Sequence, residues 1–335
     1  MSFSTGPRGR FYIRSLCTQI GGGASPELAN SFAAARWGAE GLAISKAAVA
    51  ALTSGDIGTP EATEYLNAVR ERSVLGGLLG TRPVAFNRRM LARTNGAIGF
   101  WVGEAAPAPM LKAVLAGSTL KAKKVVALIA VTDEGMRAES PAVEAGLQAD
   151  LETGCAGAID QAFLDPSNAG SDTMPASVTH GAPIIAASSD AAADLKALVA
   201  AFAGDLSTSY LITDPSTATA LAMVRGANGS FLFPDAGPRG GSVLGIPLLV
   251  SRHSPRDTAG GMLALVDASG IALAMDSIEI SQSDQTSLAM ADTPTSPATM
   301  VSLFQTGTTA MKAVIRCNFE NQRVGGVAVL TGVDY

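Results

Sequence analysis

The chain has 335 residues, of which 47% are hydrophobic and only 16% are charged, and its net charge is −5. This length favours about two domains, and the combination of weak charge with high hydrophobicity excludes a disordered chain. The negative net charge excludes a protein that binds nucleic acid through its overall charge. Because soluble monomers usually carry more charge, the composition predicts that part of the surface is covered by another molecule.

Three further observations restrict the cellular setting. The most apolar stretch, residues 125–131, is far shorter than the roughly 20 residues that a membrane-spanning helix needs. The amino-terminal residues lack the apolar core of a secretory signal. The cysteines, Cys17, Cys155 and Cys317, are odd in number and far apart, which fits a reducing cytoplasm better than a disulfide framework.

Residues 1–81 have the features of an arm with helical pieces. Ser25-Pro26-Glu27 and Thr59-Pro60-Glu61 each place a proline at the first helical position after a capping residue, so each predicts a helix start. The region contains too few large apolar residues to form a domain alone.

Residues 82–132 have the period of β-strands. Apolar residues alternate with other residues around positions 84–86 and 98–102, and residues 120–131 are predicted to form a second long strand. The segment 105–109 contains Pro107 and Pro109 and cannot be a regular element. We therefore predict an extended β-arm, with two long strands joined by a proline-containing tip.

A long helix is predicted over residues 141–163, about 35 Å in length. Its apolar residues recur at every fourth position: Val143, Leu147, Leu151, Cys155, Ile159 and Phe163. The helix is expected to end before Asp165-Pro166.

Residues 190–298 are expected to form a separate α/β unit. A helix is predicted over Asp190–Phe202, and Asp214-Pro215 is expected to cap a second helix that runs to Arg225. Short strands are predicted at 209–213, 231–233, 246–250, 262–266, 271–275 and 278–281. A hinge at 293–297 is followed by an unusually long strand over 300–319 and a final strand over 324–333.

Catalytic and metal-binding patterns are scarce. His180 and His253 lie among glycine, serine and proline, without the ligand spacing of a metal site. The segment from Ser118 to Lys121 matches S-x-x-K, but that motif requires a helix start and partner motifs that this sequence lacks. We therefore expect no catalytic residue, no cofactor and no metal, and we predict that the chain is not an enzyme.

The charges are unevenly distributed. Residues 70–124 hold ten basic against two acidic residues, whereas residues 133–172 hold nine acidic residues against one arginine. They could be two solvated faces of one monomer, or the arm of one subunit could lie over the helix of its neighbour, where complementary charge would orient the contact. The residues of this second hypothesis are Arg88, Arg89, Arg93, Lys112, Lys121, Lys123 and Lys124, paired with Glu139, Glu144, Asp150, Glu152 and Asp160.

The order of several motifs resembles that of the tailed-bacteriophage major capsid proteins, which have the Hong Kong ninety-seven-type fold. Trp101-Val102-Gly103-Glu104 with Pro107 is similar to the family's W-V-G-E-x-x-P motif. Leu244-Gly245-Ile246-Pro247-Leu248 is similar to its L-G-x-P-V strand. The other segments that carry the resemblance are 72–76, 82–87, 124–134, 162–165, 303–305 and 327–333.

The resemblance implies an α+β phage major capsid fold. Its expected parts are an N-terminal arm (1–81), an extended β E-loop (82–124), a P-domain with a β-sheet and a long spine helix at 141–163 (125–188), an α/β A-domain (189–298), and P-domain return strands (299–335). It also implies a structural protein whose hexamers and pentamers build an icosahedral phage head around double-stranded DNA. The expected partners are further copies of the chain, with portal, scaffolding and decoration proteins also possible and DNA contacted without sequence specificity. No membrane is involved, and the expected location is the virion, after assembly in the host cytoplasm.

Some alternatives remain open at the level of the sequence. About 80 residues precede the E-loop, so a scaffolding segment is either a separate protein or has been removed from this chain. Lys112 with Asn318, Glu320 and Asn321 supplies the residue types of a Lys–Asn cross-link, although the surrounding pattern differs from that of cross-linking relatives. An encapsulin-like shell protein and an α/β enzyme with an oligomerisation arm are the alternative functions.

Overall fold

The computed structural model describes residues 34, 69, 72–93, 115–132, 141–226, 228–290 and 299–335. The chain divides into two compact units, which are described separately. The first contains Arg72, Val125–Ala156 and Asp276–Arg316, and the second contains Ser73–Lys124, Gly157–Met275 and Cys317–Tyr335. The predicted arm, its tip and the hinge at 293–297 lie largely or wholly outside the described residues.

The second unit is built on a seven-stranded mixed sheet. Six strands follow the order β5-β15-β10-β6-β8-β7, and β9 pairs with β10. The central strand β10 (Gly260–Asp267) is buried along its whole length, as expected for a near-continuous apolar run. The other strands are β5 (Ile184–Ala186), β6 (Ser209–Thr213), β7 (Gly241–Val243), β8 (Ile246–Val250), β9 (Arg256–Asp257) and β15 (Val327–Val333).

Two helices pack against this sheet, and the second begins after the predicted capping residue, Asp214. Asp190 accepts hydrogen bonds from the amides of Ala192 and Ala193 before α3 (Ala191–Ala201). Asp214 accepts hydrogen bonds from the first-turn amides of α4 (Pro215–Met223), which has proline at its first position. Side chains from both helices and the sheet form one core that includes Leu198, Leu211, Leu221, Leu263 and Leu330.

A second sheet has the strand order β1-β11-β14-β4. Its long strands β11 and β14 contribute residues to both units. The strands are β1 (Arg82–Pro83), β4 (Lys123–Thr132), β11 (Ile271–Ser283) and β14 (Thr308–Asn321). Two further strand pairs are β2 (Arg89–Arg93) with β3 (Leu115–Thr119), and β12 (Ser287–Met290) with β13 (Thr299–Ser302).

The predicted long helix is observed as α2 (Pro141–Leu164). Its apolar stripe is buried at Leu151, Cys155, Ile159 and Phe163. Phe163 meets Phe319 of β14 edge to face, with ring centroids 5.0 Å apart. None of the helices in the described ranges is both long and apolar enough to cross a membrane.

Four predicted strands were wrong in detail. Residues 231–233 form only an isolated bridge between Phe231 and Arg225, because a turn with Pro234 follows directly. The two strands predicted over 271–281 are one strand, β11. The strand predicted over 300–319 is interrupted by a helical turn, α5 (Leu303–Thr306), which ends at Gly307 in the left-handed conformation.

The mixed helices and sheets confirm the predicted α+β class. The domain limits drawn from the sequence stay a prediction. The two compact units divide at other residues than the predicted domains. The segment Gly157–Met275 belongs to one unit, whereas the prediction divides it between residues 188 and 189.

Candidate functional site

The described residues of the predicted β-arm form what we call the arm root, residues 82–93 and 115–124. Strands β2 and β3 pair antiparallel, with Arg89 opposite Thr119. A short helix, α1 (Val74–Gly77), precedes the arm root in the chain. Met90 and Leu120 of the arm root are buried together with Ala272 and Ala274 of β11. The arm root is therefore part of the second unit and packs against its strand β11.

The arm root is strongly basic. Its 22 residues contain seven basic and no acidic side chains. Five of the basic side chains are exposed, and none of these five forms an ion pair with an acid in the part of the chain that the structure describes. They are Arg82, Arg88, Arg89, Lys121 and Lys124. Like charges repel one another, so an acidic partner would lower the energy of a surface that carries several of them.

The remaining predicted basic residues have different settings. Lys123 is half-buried, and its ammonium group donates hydrogen bonds to the backbone carbonyl oxygens of Ser171 and Asp172. Arg93 lies at the end of β2, and Lys112 lies outside the described residues. Arg88, Arg89, Lys121 and Lys124 are therefore each exposed on the arm root, whereas Lys123 has a contact within the subunit.

The predicted acidic partners divide in the same way. Asp150 is exposed on α2, Glu144 lies in the first half of α2, and Glu139 is outside the described residues. Glu152 and Asp160 are buried, at 2% and 1% exposure, and both have partners within the chain. Their burial does not favour a contact with a neighbouring subunit, so that part of the hypothesis stays a prediction.

Glu152 forms an ion pair with Arg72, which lies before the arm root in the chain. The Arg72 Nε atom lies 2.8 Å from Glu152 Oε2, and Arg72 Nη1 donates to Thr153 Oγ1 at 3.1 Å. Both contacts lie within the first unit. They hold Arg72 against the middle of α2.

Asp160 is the centre of a buried hydrogen-bond cluster in the second unit. Its Oδ1 atom accepts from Ser73 Oγ at 2.5 Å and from the Val74 amide at 3.0 Å, and its Oδ2 atom accepts from Ser251 Oγ at 2.6 Å. Burial raises the pKa of the Asp160 carboxyl above 3.8, and the three hydrogen bonds and the nearby His253 partly oppose that increase. The cluster joins the start of α1, the helix α2 and the end of β8.

The sequence analysis did not identify Ser73 or Ser251. Ser73 caps α1, and its hydroxyl accepts from the Leu75 amide. One signal was available: Asp160 directly follows the buried stripe residue Ile159, so a carboxylate at that position has to find hydrogen-bond donors. Its partners lie 87 and 91 residues away in the chain, and no local pattern identifies them.

The other residues singled out by the sequence are dispersed. His180 Nδ1 lies 3.0 Å from the carbonyl oxygen of Pro166, and His253 packs against Gly157 of α2. Ser118 of the S-x-x-K segment lies in strand β3 rather than at a helix start. No group of His, Cys, Asp and Glu in the described ranges is arranged to hold a metal ion.

The candidate cross-link residues of β14 differ in burial and in hydrogen bonding. Asn318 is buried at 6% exposure, and its amide donates to the carbonyl oxygen of Lys121 at 2.6 Å. Glu320 and Asn321 are half-buried at the end of β14. Because the Asn318 amide is occupied inside the subunit, Asn321 is the better placed of the two asparagines for a bond with a neighbour.

Comparison with known proteins identifies the family. The profile of the phage capsid family matches residues 55–332, which is most of the chain. The chain belongs to the phage capsid family. The resemblance to major capsid proteins of tailed phages, expected from the motifs, is thereby confirmed.

Individual relatives agree with this assignment. A capsid polyprotein of Pseudomonas phage PAJU2 is 32% identical to this capsid-family chain over 319 residues. The match covers 87% of the chain and 48% of the polyprotein, so the chain spans about half the length of that curated relative.

Solved structures share the fold of this phage capsid family member. A chain from Mycobacterium phage Adephagia has a TM-score of 0.55 at 19% identity, covering 77% of this chain and 89% of that one. The capsid of a native GTA particle computed with C5 symmetry has a TM-score of 0.54 at 15% identity, covering 79% and 89%. At such low identity these matches show the fold alone, and they confirm the expected capsid fold.

Proposed function

We propose that this chain is the major structural subunit of a phage head, assembling as hexamers and pentamers into an icosahedral shell around double-stranded DNA. The observation that carries the proposal is the match of the phage capsid family to residues 55–332. In this role the chain acts through its surfaces and not through catalysis, in the virion, after assembly in the host cytoplasm. Portal, scaffolding and decoration proteins are further partners under this proposal.

The basic arm root supports a specific contact between subunits. Under the proposal, the arm of one subunit lies over the acidic region around α2 of the next. The arm root offers Arg88, Arg89, Lys121 and Lys124, which are exposed and unpaired in the described chain, and Asp150 is an exposed acid on α2. Glu139 and Glu144 complete the acidic side, while Glu152 and Asp160 have no part in it. Complementary charge of this kind directs encounters and fixes orientation more than it adds affinity.

Sedimentation of the purified chain tests the proposal. We expect a fast-sedimenting species far larger than the 33.9 kDa subunit, in equilibrium with capsomer-sized oligomers. Raising the salt concentration should shift material toward the smaller species, because exposed charge contacts are screened within about 8–10 Å at moderate ionic strength. A chain that sediments as a monomer or dimer at every protein and salt concentration would contradict the proposal.

A further inference from the structure

The three lysines at the end of the arm root have different surroundings, although they are neighbours in sequence. Lys121 and Lys124 are exposed, and no acid within the described residues pairs with either of them. Lys123, the first residue of β4, is half-buried. Its ammonium group donates to two consecutive carbonyl oxygens, those of Ser171 and Asp172, the second at 2.8 Å.

The loop that receives Lys123 is ordered by its own hydrogen bonds. Asn168 donates through its amide to the carbonyl oxygens of Ala162 and Pro175, at 3.0 and 2.9 Å, and accepts from the Gly170 amide. Ser171 Oγ accepts from the amides of Thr173 and Met174. The two carbonyl oxygens are therefore held in place before the lysine contacts them. A charged donor bound to oriented acceptors makes a stronger hydrogen bond than a neutral donor does.

Hydrogen bonds to backbone carbonyl oxygens also stabilise the arm root. The Asn318 amide of β14 donates to the carbonyl oxygen of Lys121 at 2.6 Å. The Asn87 amide donates to the carbonyl oxygen of Leu120 at 2.8 Å, and the Val84 amide donates to Leu273 of β11 at 2.9 Å. The bonds of Asn318 and Val84 join the arm root to β14 and β11, and the bond of Asn87 joins its two segments to each other. Lys123 alone among the three lysines joins it by its side chain to the loop after α2.

We propose that Lys123 is a positioning residue that fixes the orientation of the arm root on the loop after α2, whereas Lys121 and Lys124 belong to the surface that meets a second copy. Lys123 acts through the arm root, because its charge is directed at the subunit's own loop. Neutralising it loosens the attachment of the arm, and neutralising Lys121 or Lys124 weakens only the contact between subunits. The part concerning Lys121 and Lys124 rests on the proposed function, and the part concerning Lys123 does not.

Hydrogen exchange of the full unassembled chain at high salt tests the assignment of Lys123. We expect Lys123→Met to raise the exchange rates of amides in 86–93, 115–124 and 168–174 about ten-fold or more, since one charged hydrogen-bonding group is lost. Lys124→Met is the matched control and should leave these rates unchanged. Lys123→Arg should restore part of the protection, because a guanidinium can still donate to both carbonyl oxygens. Equal rates in the Lys123→Met variant and the wild-type chain would overturn the proposal.

Assembly as a function of salt tests the division of roles. Lys121→Met and Lys124→Met should require less salt than the wild-type chain to prevent assembly. Lys123→Met should lower the yield of assembly without this change in salt dependence. If Lys123→Met shifts the salt dependence as Lys124→Met does, Lys123 belongs to the charged surface and the proposal is wrong. If neither Lys121→Met nor Lys124→Met has any effect, the charge contact under the proposed function fails, while the exchange result for Lys123 still decides its own role.

Discussion

Replacing Asp160 with alanine is expected to lower the free energy of unfolding by about 2–4 kcal/mol. The substitution removes the acceptor of three buried donors, the hydroxyl groups of Ser73 and Ser251 and the amide of Val74. Each donor left without a partner costs about 1–3 kcal/mol. Part of this loss is offset, because the variant no longer has to bury a carboxylate that burial already disfavours. Urea denaturation followed by circular dichroism measures the difference.

Asp160→Asn is the matched variant, since it keeps the shape of the side chain. Its carbonyl oxygen can accept from Ser73 and Val74, and its amide can donate to Ser251 once that hydroxyl rotates. We expect a change of about 1 kcal/mol or less. An alanine variant as stable as the asparagine variant would mean that the buried cluster around Asp160 contributes little to the fold.

The difference in stability between the wild-type chain and Asp160→Asn is expected to depend on pH. Burial raises the Asp160 pKa above 3.8, so the folded chain binds this proton more tightly than the unfolded chain does. The stabilising contribution of the protonated carboxyl is complete at low pH and is lost as pH rises through the raised pKa. The stability of the wild-type chain relative to Asp160→Asn should therefore fall as pH rises from about 4. Urea midpoints for both proteins at several pH values measure this difference, and a relative stability that rises with pH would contradict the assignment.

Neutralising the exposed cations of the arm root is expected to prevent assembly while leaving the subunit folded. The variant carries glutamine at Arg88, Arg89, Lys121 and Lys124. Each exposed charge contact is worth roughly 0.2–1 kcal/mol, so the four together contribute about 1–4 kcal/mol to each interface. Because a shell repeats the same interface at every copy, a loss of this size affects assembly far more than it affects a single contact.

A second variant with the same net charge separates a local from a general effect. It carries glutamine at four exposed cations that lie outside the arm root and are unpaired in the described chain: Lys196, Arg239, Arg252 and Lys312. Both variants lose four positive charges from a chain whose net charge is −5. We expect the control to assemble and the arm-root variant to stay as free subunits or capsomers, as measured by light scattering. Equal assembly of the two variants would remove the arm root from the interface.

Several elements could be predicted from sequence because their signals are local. The helix α2 follows from apolar residues at every fourth position, and Asp214 marks the start of α4 by capping. The capsid fold followed from motif order and not from any one motif. In each case, residues close together in the chain carry the information.

The remainder depends on contacts between distant residues. Asp150, Glu152 and Asp160 look alike as acids of one helix, but only the partners Arg72, Ser73 and Ser251 decide which of them are buried. Lys121, Lys123 and Lys124 differ for the same reason. The break at Leu303–Thr306 was missed because the surrounding residues favour a strand, and one helical turn is too short to show a helical period.

Electron microscopy of the purified 335-residue chain is the most direct test of the central claim that it builds a closed shell from copies of itself. We predict closed icosahedral particles of uniform diameter, with hexamers and pentamers visible in their surface. Compact particles of a few copies, without shells, capsomers or tubes at any protein concentration, would contradict it.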